Sequence, residues 1–182
     1  MSAQNSLGVM YQNARGVVQD YAEAVKWYRL AAQQGYSWAQ NDLGGMYTIG
    51  KGVMQDYAES VKWYRLAAQQ GNAWGQYNLG FRYANGEGVA QDYVEAVKWY
   101  RLAAQQGNEN AQNNLGFMYH NGLGVVQNYV KAHSWFNLSA ASGVAMAVEN
   151  RDDLAKLMTP QQIADAQKLA WDCQARQFKG CD

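Results

Sequence analysis

The sequence holds a single proline, Pro160, in 182 residues. Proline breaks helices and fixes turns, so a chain with one has few non-helical connections to expect. Cysteine and histidine are limited to two of each. None stands in an H-E-x-x-H segment or a paired cysteine–histidine spacing, so no metal site is expected. No run of eighteen apolar residues occurs, and no membrane span is expected. The opening Met-Ser-Ala-Gln-Asn-Ser lacks the basic region and apolar run of a secretion signal. Net charge is missing too, since 15 basic and 15 acidic side chains cancel. That balance excludes a general attraction to phosphate backbones or anionic membranes, so no nucleic-acid partner and no membrane insertion are expected. Phenylalanine is scarce at four, against thirteen tyrosines and seven tryptophans.

What the chain does have is repetition. Residues 21–35, 57–71 and 93–107 read YAEAVKWYRLAAQQG, YAESVKWYRLAAQQG and YVEAVKWYRLAAQQG, spaced by thirty-six. A looser copy starts at Tyr129 and keeps Trp135, Leu138, Ala140 and Gly143. Between these blocks Leu-Gly recurs at Leu7-Gly8, Leu43-Gly44, Leu79-Gly80 and Leu115-Gly116. A tyrosine follows each at Tyr11, Tyr47, Tyr83 and Tyr119. A fixed period of this length marks a stack of supersecondary units.

Each unit reads as two helices. Tyr57, Ser60, Trp63, Tyr64 and Ala67 lie on one helical face. Asp20/Glu23, Asp56/Glu59 and Asp92/Glu95 have the D-x-x-E spacing of a capping box, and Gly35, Gly71 and Gly107 stand where such helices end. In the first helices, Leu43, Gly44 and Tyr47 mark the inward side, and Gly50 or Gly52 supplies the turn. Ala14 replaces that glycine in the first unit, so Asn13 is expected to take the left-handed position. Small Leu-Gly glycines and Ala-Ala pairs open space that tyrosine and tryptophan refill. One unit cannot bury both faces, so neighbours stack.

The expected fold is therefore all-α: a right-handed α/α superhelical solenoid of about four 36-residue helix-turn-helix repeats. The repeats span residues 1–35, 36–71, 72–107 and 108–143, and residues 144–182 form C-terminal capping helices and a tail. In that tail Thr159, Pro160 and Gln162 read as N-cap, N1 and N3, followed by an apolar stripe at Ile163, Ala166, Leu169 or Ala170, and Cys173. Ala3-Gln4-Asn5 aligns with Ala39-Gln40-Asn41. The chain thus starts inside a repeat, and a natural protein beginning upstream of Met1-Ser2 is expected.

The run A-Q-x-x-L-G-x-x-Y, G-x-G-V-x-x-D-Y, A-x-x-W-Y-R-x-A-A-x-x-G, over about residues 3–143, resembles the Sel-one-like repeat (SLR) family, relatives of the tetratricopeptide repeat. The segment RDDLAKLMTPQQIADAQKLA is similar to the C-terminal helices of bacterial members. The resemblance implies an adaptor or scaffold that binds partner proteins, often through a concave face. Family membership does not name the partner. The cysteines are not placed one per helix, as in cysteine-rich Helicobacter members, so that subfamily's details do not carry over.

Chemistry-bearing segments read as structure. Gly45-Met-Tyr-Thr-Ile-Gly50-Lys51 approaches a phosphate loop, yet Gly52 replaces the Mg²⁺-binding Ser or Thr and no strand precedes it. His120 and His133 read as packed or solvated, and Ser134 and Ser142 have no recognisable base partner. Lys26-Trp27-Tyr28-Arg29 mixes basic and aromatic residues, but Glu23 offsets Lys26 and Trp27 falls on the buried stripe. No catalytic residue, cofactor or metal is expected. Cys173 and Cys181 are either a disulfide, with Gly180 folding Cys181 back along the last helix, or two free thiols. A bonded pair favours an exported, periplasmic setting with the signal removed upstream, whereas free thiols fit the cytoplasm.

The variable positions of the first helices are the expected partner site. They are Trp38, Asn41, Asp42, Gly45 and Ile49, then Trp74, Tyr77, Asn78, Phe81 and Asn85, then Asn110, Asn113, Asn114, Phe117 and Asn121. Aromatics there offer anchors, and asparagines bond extended peptide backbone. The function read from this is a non-catalytic scaffold for a protein or peptide. The alternative is a small-molecule or peptide-fragment binder with weak hydrolytic activity.

Overall fold

In the computed structural model residues 3–181 are described; Met1 and Ser2, where the sequence places its expected upstream break, lie outside them. Ten helices follow one another among the described residues, without a strand. The pairs are α1 (Ala3–Asn13) and α2 (Tyr21–Gln33), α3 (Ser37–Ile49) and α4 (Tyr57–Gln69), α5 (Ala73–Asn85) and α6 (Tyr93–Ala104), and α7 (Glu109–Asn121) and α8 (Tyr129–Ala141). The C-terminal helices are α9 (Ala145–Ala155) and α10 (Pro160–Ala175). The chain divides into two compact units, residues 1–91 and 92–182.

In the first unit the Leu-Gly glycines seat aromatic rings of the second helices. A Cβ on Gly8 would lie 2.5 Å from the Tyr28 ring, and one on Gly44 would lie 2.8 Å from the Tyr64 ring. Tyr28 and Tyr64 are buried, alongside Ala24, Val25, Ala31, Ala39, Leu43 and Met46. Trp27 and Trp63 are only half-buried, so tyrosine takes the deep position expected for tryptophan. The reason is position along the helix: Tyr28 and Tyr64, one residue on, lie over Gly8 and Gly44, which leaves the indoles beside the seat. Gln40 and Gln76 donate to the carbonyls of Ala32 and Ala68 at 3.1 and 3.2 Å, which ties each first helix to the second helix before it.

The turn after each first helix has two left-handed glycines with separate jobs. Gly50 (φ 66°) ends α3, while Gly52 (φ 72°) lets the loop approach the first turn of α2. A Cβ on Gly52 would sit 2.2 Å from the Tyr21 carbonyl oxygen, and Gly88 stands in the same relation to Tyr57. In the first repeat Ala14 itself adopts the left-handed conformation (φ 55°), and Asn13 stays in α1 with its side chain on the Val9 carbonyl. The expectation for Asn13 is thus corrected: its amide is satisfied inside the helix, which holds it helical. A left-handed alanine costs about 1–2 kcal/mol.

The second helices start on aspartate caps. Asp20 accepts from the amides of Ala22 and Glu23, and Asp56 from that of Glu59. The full capping box does not form. The Asp20 and Asp56 amides instead donate to the carbonyls of Tyr11 and Tyr47, at 3.1 and 3.0 Å. Glu23 and Glu59 are thereby released to pair with Lys26 and Lys62.

The second unit repeats these devices with different side chains. Gly116 seats the Phe136 ring, and Gly124 approaches the Tyr93 carbonyl. Trp135 and Phe136 are both buried. The capping box at Thr159 and Gln162 forms in full. Ala166, Ala170 and Cys173 of α10 are buried, with Ile163 and Leu169 half-buried. Beyond α10 the chain turns back through left-handed Gln177, Phe178 and Gly180, and Cys173 bonds to Cys181 with Cα atoms 5.2 Å apart. Phe178 lies against Gly107.

Candidate partner-binding face

First helices present two kinds of surface. Trp38 and Ile49 on α3 are more than half exposed, at 55% and 53%, and Trp74 on α5 and Phe117 on α7 are exposed as well. On α5 the Trp74, Tyr77 and Phe81 rings form a contiguous row. Trp74 meets Tyr77 edge-on at 6.1 Å, and Tyr77 meets Phe81 at 6.4 Å. Tyr77 and Phe81 are half-buried by this packing, while Asn85 is exposed and donates to the Phe81 carbonyl.

Asparagines behave differently from the expectation of free peptide-bonding groups. Asn78 donates to Asn41 at 2.9 Å, and Asn150 donates to Asn113 at 3.0 Å. Asn5 bonds Asp42 in the same relation, thirty-seven residues apart. Side-chain bonds of this spacing thus link α1 to α3 and α3 to α5 in the first unit and α7 to α9 in the second, and use one group of each residue for stacking. Asn113 is buried by it. Asn110 and Asn114 are half-buried, and Asn121 is exposed with its amide on the Phe117 carbonyl.

One cavity of about 280 Å³ opens on this face of the first unit. Asn41, Asp42, Gly45, Ile49 and Asn78 line it, so five sequence-expected residues come together there. Trp38, Trp74, Tyr77, Phe81 and Asn85 lie outside its lining, and the α7 positions belong to the second unit. Gln12, Met46, Thr48, Tyr64 and Arg82 complete the wall. Arg82 carried a signal, because Met10, Met46 and Met118 hold its position in the other repeats. It is buried, paired with Glu87, and lies over the Phe81 and Tyr57 rings at 5.0 and 5.4 Å. Tyr64 contributes its hydroxyl from below, 3.2 Å from Thr48 Oγ.

Electrostatics single out Asp42. Burial pushes its carboxyl up to about 6, against the pull of hydrogen bonds from Asn41 and Asn5. Burial raises the Tyr64 hydroxyl, with Thr48 opposing. Burial raises Tyr28 and Tyr77 too. His133, by contrast, is buried on α8 beside Asn137 and pushed down by burial, and His120 stacks on Tyr129 at 5.5 Å. Among the described residues no three His, Cys, Asp or Glu side chains gather where they could hold a metal ion. Gly50 and Gly52 of the phosphate-loop look-alike form the interhelical turn.

The Sel1 repeat matches four times, at residues 2–36, 39–72, 75–108 and 110–144. No curated protein matches the chain. Among solved structures, c5321, a protective antigen present in uropathogenic Escherichia coli strains and displaying an SLR fold, is 44% identical over 96% of this chain, with a TM-score of 0.83. A Sel1 repeat protein from Oxalobacter formigenes is 33% identical over 94% of it, with a TM-score of 0.72. The chain spans only 38% and 63% of those two proteins. Helicobacter pylori cysteine rich protein B, at 23% identity over 70% of this chain and 95% of its own, with a TM-score of 0.56, shares the fold. Four matched repeats in register, on ten helices with the SLR fold of these relatives, place the chain in the Sel1-repeat family.

Proposed function

We propose that this chain is a non-catalytic scaffold that holds a partner protein by an extended segment laid along its first helices. Sel1-repeat proteins are generally protein-interaction scaffolds. The observation that carries the reading here is the aromatic and apolar surface of α3 and α5. Large apolar side chains stay exposed on the first helices of the first unit, at Trp38, Ile49 and Trp74, and a polar cavity opens on the same unit. Exposed aromatics next to satisfied polar groups are the composition of binding hot spots.

The alternative of a small-molecule binder with hydrolytic activity has less support. Hydrolysis needs a nucleophile or an activated water held by a base and its orienting partner. The one carboxylate lining the cavity, Asp42, is bonded by the amides of Asn41 and Asn5. His133 bonds Asn137 and is buried on α8, in the other unit. No long apolar helix is available for membrane insertion among the described residues.

The test begins by selecting peptide ligands from a random-peptide display library. Tyr77→Ala with Phe81→Ala is then expected to weaken the selected peptide about 100-fold, the scale of a strong hot spot, with helicity retained. Unchanged affinity in that double variant would overturn the assignment.

A further inference from the structure

We propose that the cavity lined by Asp42 takes a basic side chain, lysine or arginine, of the bound segment, with the Asp42 carboxylate as its counter-ion. This deepens the reading of the first helices as a peptide-binding face and rests on it.

The carboxylates that open the second helices, and Glu87 in the turn before one of them, have structural uses. Asp20, Asp56 and Asp92 cap helices. Glu23, Glu59 and Glu95 pair with lysines one helical turn away, and Glu87 pairs with Arg82. Asp42 does neither. It sits half-buried, and its hydrogen-bond partners are the neutral amides of Asn41 (3.4 Å) and Asn5.

Stacking does not call for a charge at this position. Ser6, Asn78, Asn114 and Asn150 occupy it in the other repeats. Where the thirty-seven-residue bond is formed by Asn78 or Asn150, a neutral amide suffices. A half-buried carboxylate in place of an amide is a desolvation cost that the fold does not need. Its raised proton affinity expresses that cost.

A cation entering the cavity would remove it. Arg82 is not that cation, since its guanidinium is held by Glu87 and by two aromatic rings. Arg82 is paired with Glu87, which leaves Asp42 as the lining charge without an opposite partner. Asn78 Oδ1 forms no hydrogen bond among the described residues and adds an acceptor on the α5 wall. A volume near 280 Å³ suits one long side chain rather than a folded element. An acidic side chain would meet the uncompensated carboxylate, and a neutral one would leave it desolvated.

The experiment titrates the ¹⁵N-labelled chain with the N-acetyl methylamides of arginine, lysine, glutamine and glutamate, and follows backbone amide shifts. Arginine and lysine are expected to shift Asn41, Asp42 and Asn78 at least tenfold more tightly than glutamine, with no saturable shift for glutamate. Asp42→Asn, which installs the residue of the next repeat, should keep the fold and erase the preference. Acidification gives an independent readout. The groups facing Asp42 are Asn5 on α1, Tyr28 on α2, Asn41 on α3, Tyr64 on α4, and Asn78 and Arg82 on α5. The tyrosines are pushed above their usual range, so the Asp42 carboxyl, raised to about 6, carries the pH dependence. Arginine binding should therefore fall about tenfold from pH 7.5 to pH 5, and should be flat in Asp42→Asn. Equal binding of glutamine and arginine, or an unchanged preference in Asp42→Asn, would overturn the counter-ion role and leave the peptide-binding face standing. No shift by any analogue would overturn the pocket itself. Failure of the display selection is a separate result and would overturn the face.

Discussion

The second helices α2 and α4 and the first helices α3 and α5 alternate in one unit, yet they spend their side chains differently. On α4, Asp56 caps, Glu59 pairs with Lys62, Tyr64 fills the Gly44 seat, and Arg65 donates to the Tyr83 hydroxyl at 3.1 Å. Most polar groups there have a structural partner, the buried Trp63 indole nitrogen excepted, and residues 21–35 and 57–71 differ at one position. On α3 and α5 the inward side is equally fixed by Leu43, Gly44, Leu79 and Gly80. The other side leaves Trp38, Ile49 and Trp74 exposed and Asp42 without a cation. On the proposed reading, recognition is added on the outer side of helices whose inner side serves stacking.

The sharpest break of this comparison is at the loop that touches a second helix. Gly52→Ala would drive a Cβ to 2.2 Å from the Tyr21 carbonyl in a left-handed backbone. A loss of about 3 kcal/mol or more is expected in urea unfolding. Gly16→Ala has the same backbone sign but meets only the Met10 Cε at 3.8 Å, so about 1–2 kcal/mol is expected. Equal losses at both glycines would show that backbone conformation, and not approach to the neighbouring repeat, fixes the turn.

The Asp42 carboxyl gives the next effect, with a defined pH window. Its folded value of about 6 lies above the ordinary 3.8, so the folded state binds the proton more tightly than the unfolded state. Stability therefore declines as pH rises from about 4 to about 6 and stays lower above it. Asp42→Asn should stabilise the chain by about 1–3 kcal/mol at pH 7.5 and by little near pH 4, read from denaturant midpoints. A stabilisation independent of pH would remove burial of the charge as its cause.

Adjacent glycines on α3 sharpen the contrast between its two sides. Gly44→Ala must displace the Tyr64 ring at 2.8 Å and should cost about 1–3 kcal/mol. Gly45→Ala meets only the Tyr64 hydroxyl at 3.8 Å, and helix propensity should make it stabilising by up to about 1 kcal/mol. Thermal melts of the two variants should move in opposite directions. On the second helix, Asp56→Ala removes a cap and should cost about 1 kcal/mol.

The repeat and its helix pairs were readable because stacking imposes the same residues every thirty-six positions. Aspartate caps and terminal glycines were readable for the same local reason. The missing half of each capping box was not, because the Asp56 amide is taken by the Tyr47 carbonyl of another helix. The asparagines show the same limit. Their residue type suggested peptide bonding, but the Asn78–Asn41 bond spans thirty-seven residues and appears only when repeats stack. Five of the candidate positions meet in the cavity because they lie at i, i+1, i+4 and i+8 on α3 and one repeat on along α5. Tyr64 reaches the same cavity from a helix whose repeats gave no hint of it, since the ring at this position recurs every thirty-six residues and fills the Gly44 seat.

The division of labour between the helices is tested most directly by binding and unfolding measured side by side. One variant carries Trp74→Ala and Phe81→Ala on α5, and the other Lys62→Ala and Leu66→Ala on the exposed side of α4. Affinity for a library-selected peptide should fall at least tenfold in the first and stay within about twofold in the second, with both still unfolding cooperatively. Loss of binding in the α4 variant with full binding in the α5 variant would contradict the account.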